Sequence, residues 1–251
     1  MRIPLIVGNW KMNTTPAEAS ALARELVSKL PHRHNLEMVV TPPFTSLAAV
    51  AAELHGSRVK LAAQDLHWED RGAFTGAISH LMLEALGCTH VLVGHSERRI
   101  YFGETDHRVN LKVRAALRGG LAIILCIGEE LLERETGRLH EVLVRQLDRA
   151  LDEVPPASAD RLSVAYEPVW AIGTGQSATV EDAAQAGHLI RRQLEQLWGA
   201  APAERVRVLY GGSVTPANAG SFAEHRAVDG VLVGGASLKA SDFAAIASAG
   251  W

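Results

Sequence analysis

One carboxylate in this chain stands where a buried strand must end. Leu162-Ser163-Val164-Ala165-Tyr166 reads as a short buried strand, and Glu167 follows it. Pro168 stops the ladder there, because it has no N–H to donate. Trp170 and Ile172 then put apolar side chains into a segment expected to face solvent, while Gly173 and Gly175 permit positive φ and close backbone approach. Thr179-Val180-Glu181-Asp182 has the spacing of a capped helix start. A carboxylate at a strand end, followed by a loop with an apolar tip, is the layout of a general base under a lid that excludes water. The same stretch also reads as a strand-end glutamate before an ordinary surface loop. Gly173-x-Gly175-x-x-Ala178 fits a dinucleotide fingerprint, but Pro168 to Ile172 separate Glu167 from its first glycine, and that fingerprint must follow its strand directly.

Other strand ends carry chemistry too. Gly8-Asn9-Trp10-Lys11-Met12-Asn13 sets a lysine just past the first apolar run, where it either points into a pocket and attracts an anion or is an ordinary loop lysine. Gly94-His95-Ser96-Glu97-Arg98-Arg99 puts a histidine at the start of a short helix. The partial positive charge of a helix N-terminus disfavours imidazolium, so a neutral His95 there can donate to a carbonyl; a structural histidine is the other reading. Glu97 pairs with Lys11, is held near the loop that follows the third strand, or forms a local salt bridge with Arg98 or Arg99. Tyr210-Gly211-Gly212-Ser213 and Val233-Gly234-Gly235 are glycine pairs after apolar strands, whose N–H groups can converge on a phosphate. Cys126 reads as small core packing, since no histidine is placed to activate it. His32-x-His34 and the other histidines make no metal-ligating set.

These residues need a scaffold that brings many strand ends together. Nearly continuous apolar runs cover residues 3–8, 36–41, 59–63, 90–94, 122–127, 162–166, 206–210 and 228–233. Such runs suit parallel strands buried on both faces. Amphipathic stripes lie between them, such as Leu139, Leu143, Leu147 and Leu151, and Thr15-Pro16-x-Glu18 opens the first helix with a capping box. Eight strands with helical crossovers predict a closed α/β barrel, (β/α)8, occupying residues 1–251 as one domain. An open doubly wound sheet fits less well, because chemistry follows strands all along the chain instead of at one switch point.

Composition narrows the function. The chain has 251 residues, is 47% hydrophobic and carries a net charge of −3, which leaves no footprint for nucleic acid or anionic membrane. Two cysteines, Cys88 and Cys126, lie in or beside apolar strands and suggest buried thiols in a reducing compartment. Leu5-Ile6-Val7 is too short for a signal-peptide core, and no run approaches a membrane span. A cytoplasmic location is the expectation.

The strand-one and strand-four motifs, the Gly72-Ala73-Phe74-Thr75-Gly76 loop, the Tyr166-to-Gln176 stretch and the two glycine pairs occur in the order in which the triosephosphate isomerase family carries them. Over essentially its whole length the chain resembles that family. The resemblance implies an enzyme of glycolysis and gluconeogenesis that interconverts dihydroxyacetone phosphate and glyceraldehyde 3-phosphate without a cofactor or metal. It implies Glu167 as base and His95 as neutral electrophile, a pairing for which this family is the type case. Lys11 and Asn9 would stabilise the oxyanion, and Asn9, Lys11, Gly173, Ser213, Gly234 and Gly235 would hold substrate and phosphate. Ser96 and Glu97 would stand behind the reacting groups, and Ile172 and Leu232 would flank the Glu167 carboxylate. Tyr210 and Ser213 would receive the closed lid near Ala178 and Gly175. Gln64, Phe74 and Thr75 would belong to a loop that reaches the neighbouring subunit of a homodimer; Trp68 and Phe74 are costly to leave in water. Gln176-Ser177 and Val180 depart from the residues common at the lid's second hinge. A sugar-phosphate epimerase type of barrel and a non-catalytic binding barrel remain the alternative readings.

Overall fold

In the computed structural model, which describes residues 2–31, 33–171 and 178–251, eight parallel strands pair in chain order and close into a barrel. They are β1 (Leu5–Asn9), β2 (Glu37–Thr41), β3 (Val59–Ala63), β4 (His90–Val93), β5 (Ala122–Ile127), β6 (Leu162–Tyr166), β7 (Arg207–Tyr210) and β8 (Gly230–Val233). β8 closes on β1 with Leu5 opposite Gly230. The strands anticipated from apolar runs are all present, several of them trimmed at one end. β1 begins after Pro4, which has no N–H for the ladder. β8 begins at Gly230, where φ is +150° and an added Cβ would stand 1.9 Å from the Leu5 carbonyl oxygen, so glycine is what lets the barrel close there.

Side chains alternate across each strand, and the two faces build two cores. Leu5, Val7, Val39, Ala62, Leu92, Ile124, Cys126, Ala165, Leu209 and Leu232 fill the barrel interior. The opposite face, with Ile6, Val40, Leu61, Val91, Val164 and Val208, packs against the helices. The helical stripes meet it as anticipated: Leu139, Leu143 and Leu147 are buried in the Leu139–Ala150 helix. Both anticipated helix starts are capping boxes, Thr15 with Glu18 and Thr179 with Asp182.

The same alternation sets up the site. Two residues past Val7 is Asn9; past Val39, Thr41; past Ala62, Gln64; past Ala165, Glu167; past Leu209, Gly211; past Leu232, Gly234. Each is in phase with an interior side chain, so each faces the C-terminal mouth of the barrel. A strand buried on both faces thus changes from packing to chemistry within one step of its own period.

Candidate active site

Glu167 is buried at the end of β6. Its amide donates to Ile127 O at 2.8 Å, which carries the sheet one residue beyond the strand proper. The carboxylate has two partners: the Ser96 amide donates to Oε2 at 2.8 Å, and His95 Nε2 lies 2.9 Å from Oε1. Gly128 makes room for this segment, since a Cβ there would fall 1.7 Å from the Glu167 carbonyl oxygen.

His95 follows Gly94 and is the N-cap of the Ser96–Phe102 helix. Its Nδ1 accepts from the Glu97 amide at 3.2 Å, so the ring's proton sits on Nε2 and is donated to Glu167. Burial pulls the imidazole pKa down, while the Glu167 and Glu97 carboxylates pull it up, and the net direction at rest is upward. Burial works to raise the Glu167 carboxyl, but His95, the Ser96 amide and Lys11 outweigh it and hold the carboxyl below its usual range. The larger part of the upward pull on His95 comes from contact with Glu167, with Glu97 adding to it, whereas burial persists when Glu167 moves. Moving Glu167 off His95 therefore makes the base more basic and the histidine more firmly neutral.

Lys11 has φ +54°, an uncommon conformation for a residue with a side chain. Two side chains hold it there. Asn9 Oδ1 accepts from the Lys11 amide at 3.0 Å, and Gln64 Nε2 donates to Lys11 O at 2.8 Å and to Thr41 O at 2.9 Å. Lys11 Nζ lies 2.6 Å from Glu97 Oε1, which resolves the partner of Glu97. Arg98 is committed to Asp65 and Glu104, and Arg99 to Asp106.

Asn9, Lys11, His95, Glu167, Ser213, Leu232, Gly234 and Gly235 line one cavity of about 270 Å³ at the C-terminal mouth. The Gly235–Leu238 helical turn starts at its wall, and the first N–H groups of any helix lack partners inside it. Tyr210 is buried just outside, stacked on Phe222 at 4.2 Å, and burial pushes its phenol up to about 12. Ile172, Gly173, Gly175, Gln176 and Ser177 lie outside the described residues, as does His32.

Three features differ from expectation or go beyond it. Trp170 is not in a solvent-facing loop: it sits in the Val169–Ala171 helical turn, half-buried against the core, and donates to Glu129 Oε1 at 2.8 Å. Trp68 also packs on the core and stacks on His67, so Phe74 alone of that pair stays exposed. Glu129 itself is buried and accepts from the Tyr166 hydroxyl at 2.9 Å. A charged residue just past the β5 apolar run is the same signal that marks Glu167, and it could have singled out Glu129. Cys126 is interior packing, with burial pushing its thiol far up. No group of His, Cys, Asp or Glu among the described residues could hold a metal ion. No described helix is long and apolar enough to cross a membrane.

An acid and a histidine in contact at the C-terminal ends of parallel strands, with a lysine beside them, define a (β/α)8-barrel enzyme with its site in the usual mouth. The sequence model of the triosephosphate isomerase family matches residues 4–250, and the chain belongs to that family. It is 49% identical over 246 residues to the triosephosphate isomerase of Trichlorobacter lovleyi, covering 98% of each chain. It is 49% identical over 243 residues to that of Chloroflexus aurantiacus, covering 97% of each. The crystal structure of triosephosphate isomerase from Bartonella henselae superposes with a TM-score of 0.89 at 39% identity, covering 98% of each chain.

Proposed function

We infer that this chain interconverts dihydroxyacetone phosphate and D-glyceraldehyde 3-phosphate, with Glu167 as the base. The observation that carries this reading is the convergence of Glu167, His95, Lys11 and the two glycine-bearing strand ends on one cavity. Glu167 takes a proton from the carbon α to the substrate carbonyl and returns it to the neighbouring carbon. His95 donates its Nε2 proton to the carbonyl and enediolate oxygens. Lys11 and Asn9 face the developing oxyanion from positions fixed in advance by the Asn9 and Gln64 hydrogen bonds. Ser213, Gly234 and Gly235 take the phosphate, with Gly173 as a further donor. Leu232, with Ile172, dries the carboxylate once it leaves Ser96 and His95 for the substrate. A coupled assay with glyceraldehyde 3-phosphate and excess chelator tests the whole: fast turnover supports it, and none in folded protein returns the lead to a non-catalytic barrel.

Lys11→Met should lower kcat/KM on the order of a hundredfold, because a preplaced charge at the oxyanion is lost. Steady-state kinetics checks this; a change in KM alone would make Lys11 a phosphate ligand only.

The working unit is a homodimer in this reading. Met12, Tyr101 and Phe102 are 95%, 75% and 65% exposed, and Phe74 stands beside Thr75 on the loop after β3. Large apolar side chains left in water beyond β1, β3 and β4 favour a partner surface. Thr75→Arg should weaken the dimer and lower activity together, measured by sedimentation and assay on one preparation. A variant that still sediments as a dimer would remove Thr75 from the interface. The whole of residues 1–251 acts as one barrel domain, and a cytoplasmic enzyme without cofactor fits the composition.

A further inference from the structure

The strand period that builds the catalytic mouth also builds the opposite one. Two residues before Val39 is Glu37; before Ala62, Lys60; before Leu92, His90; before Leu209, Arg207. All four are in phase with interior side chains, so they face inward at the N-terminal end. Their contacts agree. Arg207 hydrogen-bonds Glu37 across the mouth, Lys60 Nζ is 2.5 Å from Glu37 Oε1, and His90 Nε2 is 3.5 Å from it. The equivalent positions on β5 and β8 are the small Ala122 and Gly230, which fill little of the space.

A cavity of about 430 Å³ opens there, larger than the one at the catalytic mouth and within the range that holds small metabolites. Arg2 reaches it from the segment before β1, Arg161 from the end of the Pro156–Arg161 helical turn and Arg205 from the end of the Ala200–Arg205 helix. Arg2 is already balanced by Glu204 at 2.5 Å and Asp229 at 2.7 Å, so the wall sets four other cations, Lys60, Arg161, Arg205 and Arg207, against two carboxylates, Glu37 and Asp160. Both carboxylates are already engaged, Glu37 as above and Asp160 by Arg205 at 3.0 Å. Burial works to raise Glu37, but Arg207 and Lys60 prevail and hold it down at about 2, so it stays ionised and cannot release them by taking a proton near neutrality. Arg161 donates to the Leu117 carbonyl at 3.0 Å and has no carboxylate partner among the described residues. Burial holds His90 down at about 4, leaving it a neutral hydrogen-bonding group. An excess of positive charge in a recess of a chain whose net charge is −3 is a local field that favours an anion.

We propose that the N-terminal mouth of the barrel is a second ligand site, which takes a small molecule bearing two or more closely spaced negative charges. Arg161 and Arg205 hold the outer charge, and Lys60 and Arg207 face the inner one. The charge excess selects a polyanion over a monoanion. The His90 and Arg207 side chains are only 4% and 13% exposed, so the cationic floor is recessed and a flat macromolecular surface does not reach it.

The catalytic mouth also attracts phosphate, so the test must separate the two. Gly235→Asp sets a carboxylate among the proposed phosphate donors; no atom lies within 4 Å of the added Cβ, so the fold accepts it. Calorimetric titration of Gly235→Asp with inorganic pyrophosphate, at an ionic strength of roughly 0.15 M, should show one saturable event per chain. Adding Arg161→Glu should weaken that event about tenfold or more, while Arg161→Lys stays within about threefold. In the unsubstituted protein, pyrophosphate should move the His90 ring resonances in addition to those of His95. No saturable event in Gly235→Asp, or an event indifferent to Arg161→Glu, would overturn the proposal and leave the charged ring as a plug that closes the barrel. If Arg161→Glu fails to fold, His90 resonances that stay still while those of His95 move would overturn it equally.

Discussion

Glu167→Gln should fold as the parent chain does and lose turnover on the order of a thousandfold or more. The amide has the shape of the carboxylate, and its oxygen can still accept from His95 Nε2. Its NH2 group cannot accept from the Ser96 amide, so one of the two resting hydrogen bonds is lost, a stability change of about 1–3 kcal/mol. What disappears entirely is a basic lone pair at the substrate carbon. Glu167→Asp keeps the charge but draws it back by one methylene, and should lose about a hundredfold because the base no longer reaches. The parent's pH profile carries a matching signature. The free enzyme's Glu167 lies below the usual carboxylate range, so its carboxylate is present above that value and is lost only as pH falls through it. The acid limb of kcat/KM should therefore come from the substrate phosphate near about 6, with the Glu167 limb well beneath it. Turnover of Glu167→Gln near the parent's rate, or exchange of the substrate's carbon-bound proton with solvent at an undiminished rate, would take the base role from Glu167.

Part of this site is legible in the sequence for a reason that is physical and local. Strands buried on both faces are apolar through most of their length, so the polar residue that follows each run marks the barrel mouth, and that signal picks out Asn9, Gln64 and Glu167. His95 is legible because a helix start constrains its own N-cap. Strand ends are less so: residues 3 and 206 are apolar like their neighbours, but the ladder is set by pairing with the next strand, which hydrophobicity does not record. The partner of Glu97 stays open in the sequence because Lys11 and Arg98 both satisfy its charge. Only the fold, by giving Arg98 to Asp65 and Glu104, leaves Lys11. Lys112 and Glu104 carry no role that the sequence alone reveals, and Glu129 shows only its place past a strand, since what each does lies in its partners in the fold. Trp170 meets Glu129 across 41 residues, and Lys112 meets Asp65 across 47.

Lys112→Met should lower the unfolding free energy by roughly 3–5 kcal/mol, the range for stripping one partner from a buried ion pair. Lys112 Nζ lies 2.6 Å from both Asp65 Oδ1 and Glu104 Oε2, and its side chain is 6% exposed. Arg98 reaches the same two carboxylates at 2.8 and 3.0 Å, but one guanidinium is left to balance two buried negative charges when the lysine is gone. The sign of the pH dependence separates this from simple loss of packing. Burial already holds Asp65 above its usual value even with Lys112 present. Glu104 is held below its usual value, with Lys112 first among the groups that lower it. Without the lysine Asp65 rises further and Glu104 rises from that low value, so the ionised pair destabilises the fold fully at neutral pH. The penalty should shrink as pH falls from neutrality into the acid range and the pair takes up a proton, whereas a packing defect would be flat with pH. Urea unfolding of parent and variant across that interval reads the difference directly. The consequence reaches the chemistry, because Glu104 Oε1 also accepts from the Gly94 amide at 3.2 Å, and Gly94 sets the turn that presents His95. The variant should therefore lose kcat more than it changes KM. An undisturbed kcat in folded protein would mean that the Gly94 turn holds His95 without the buried charges behind it.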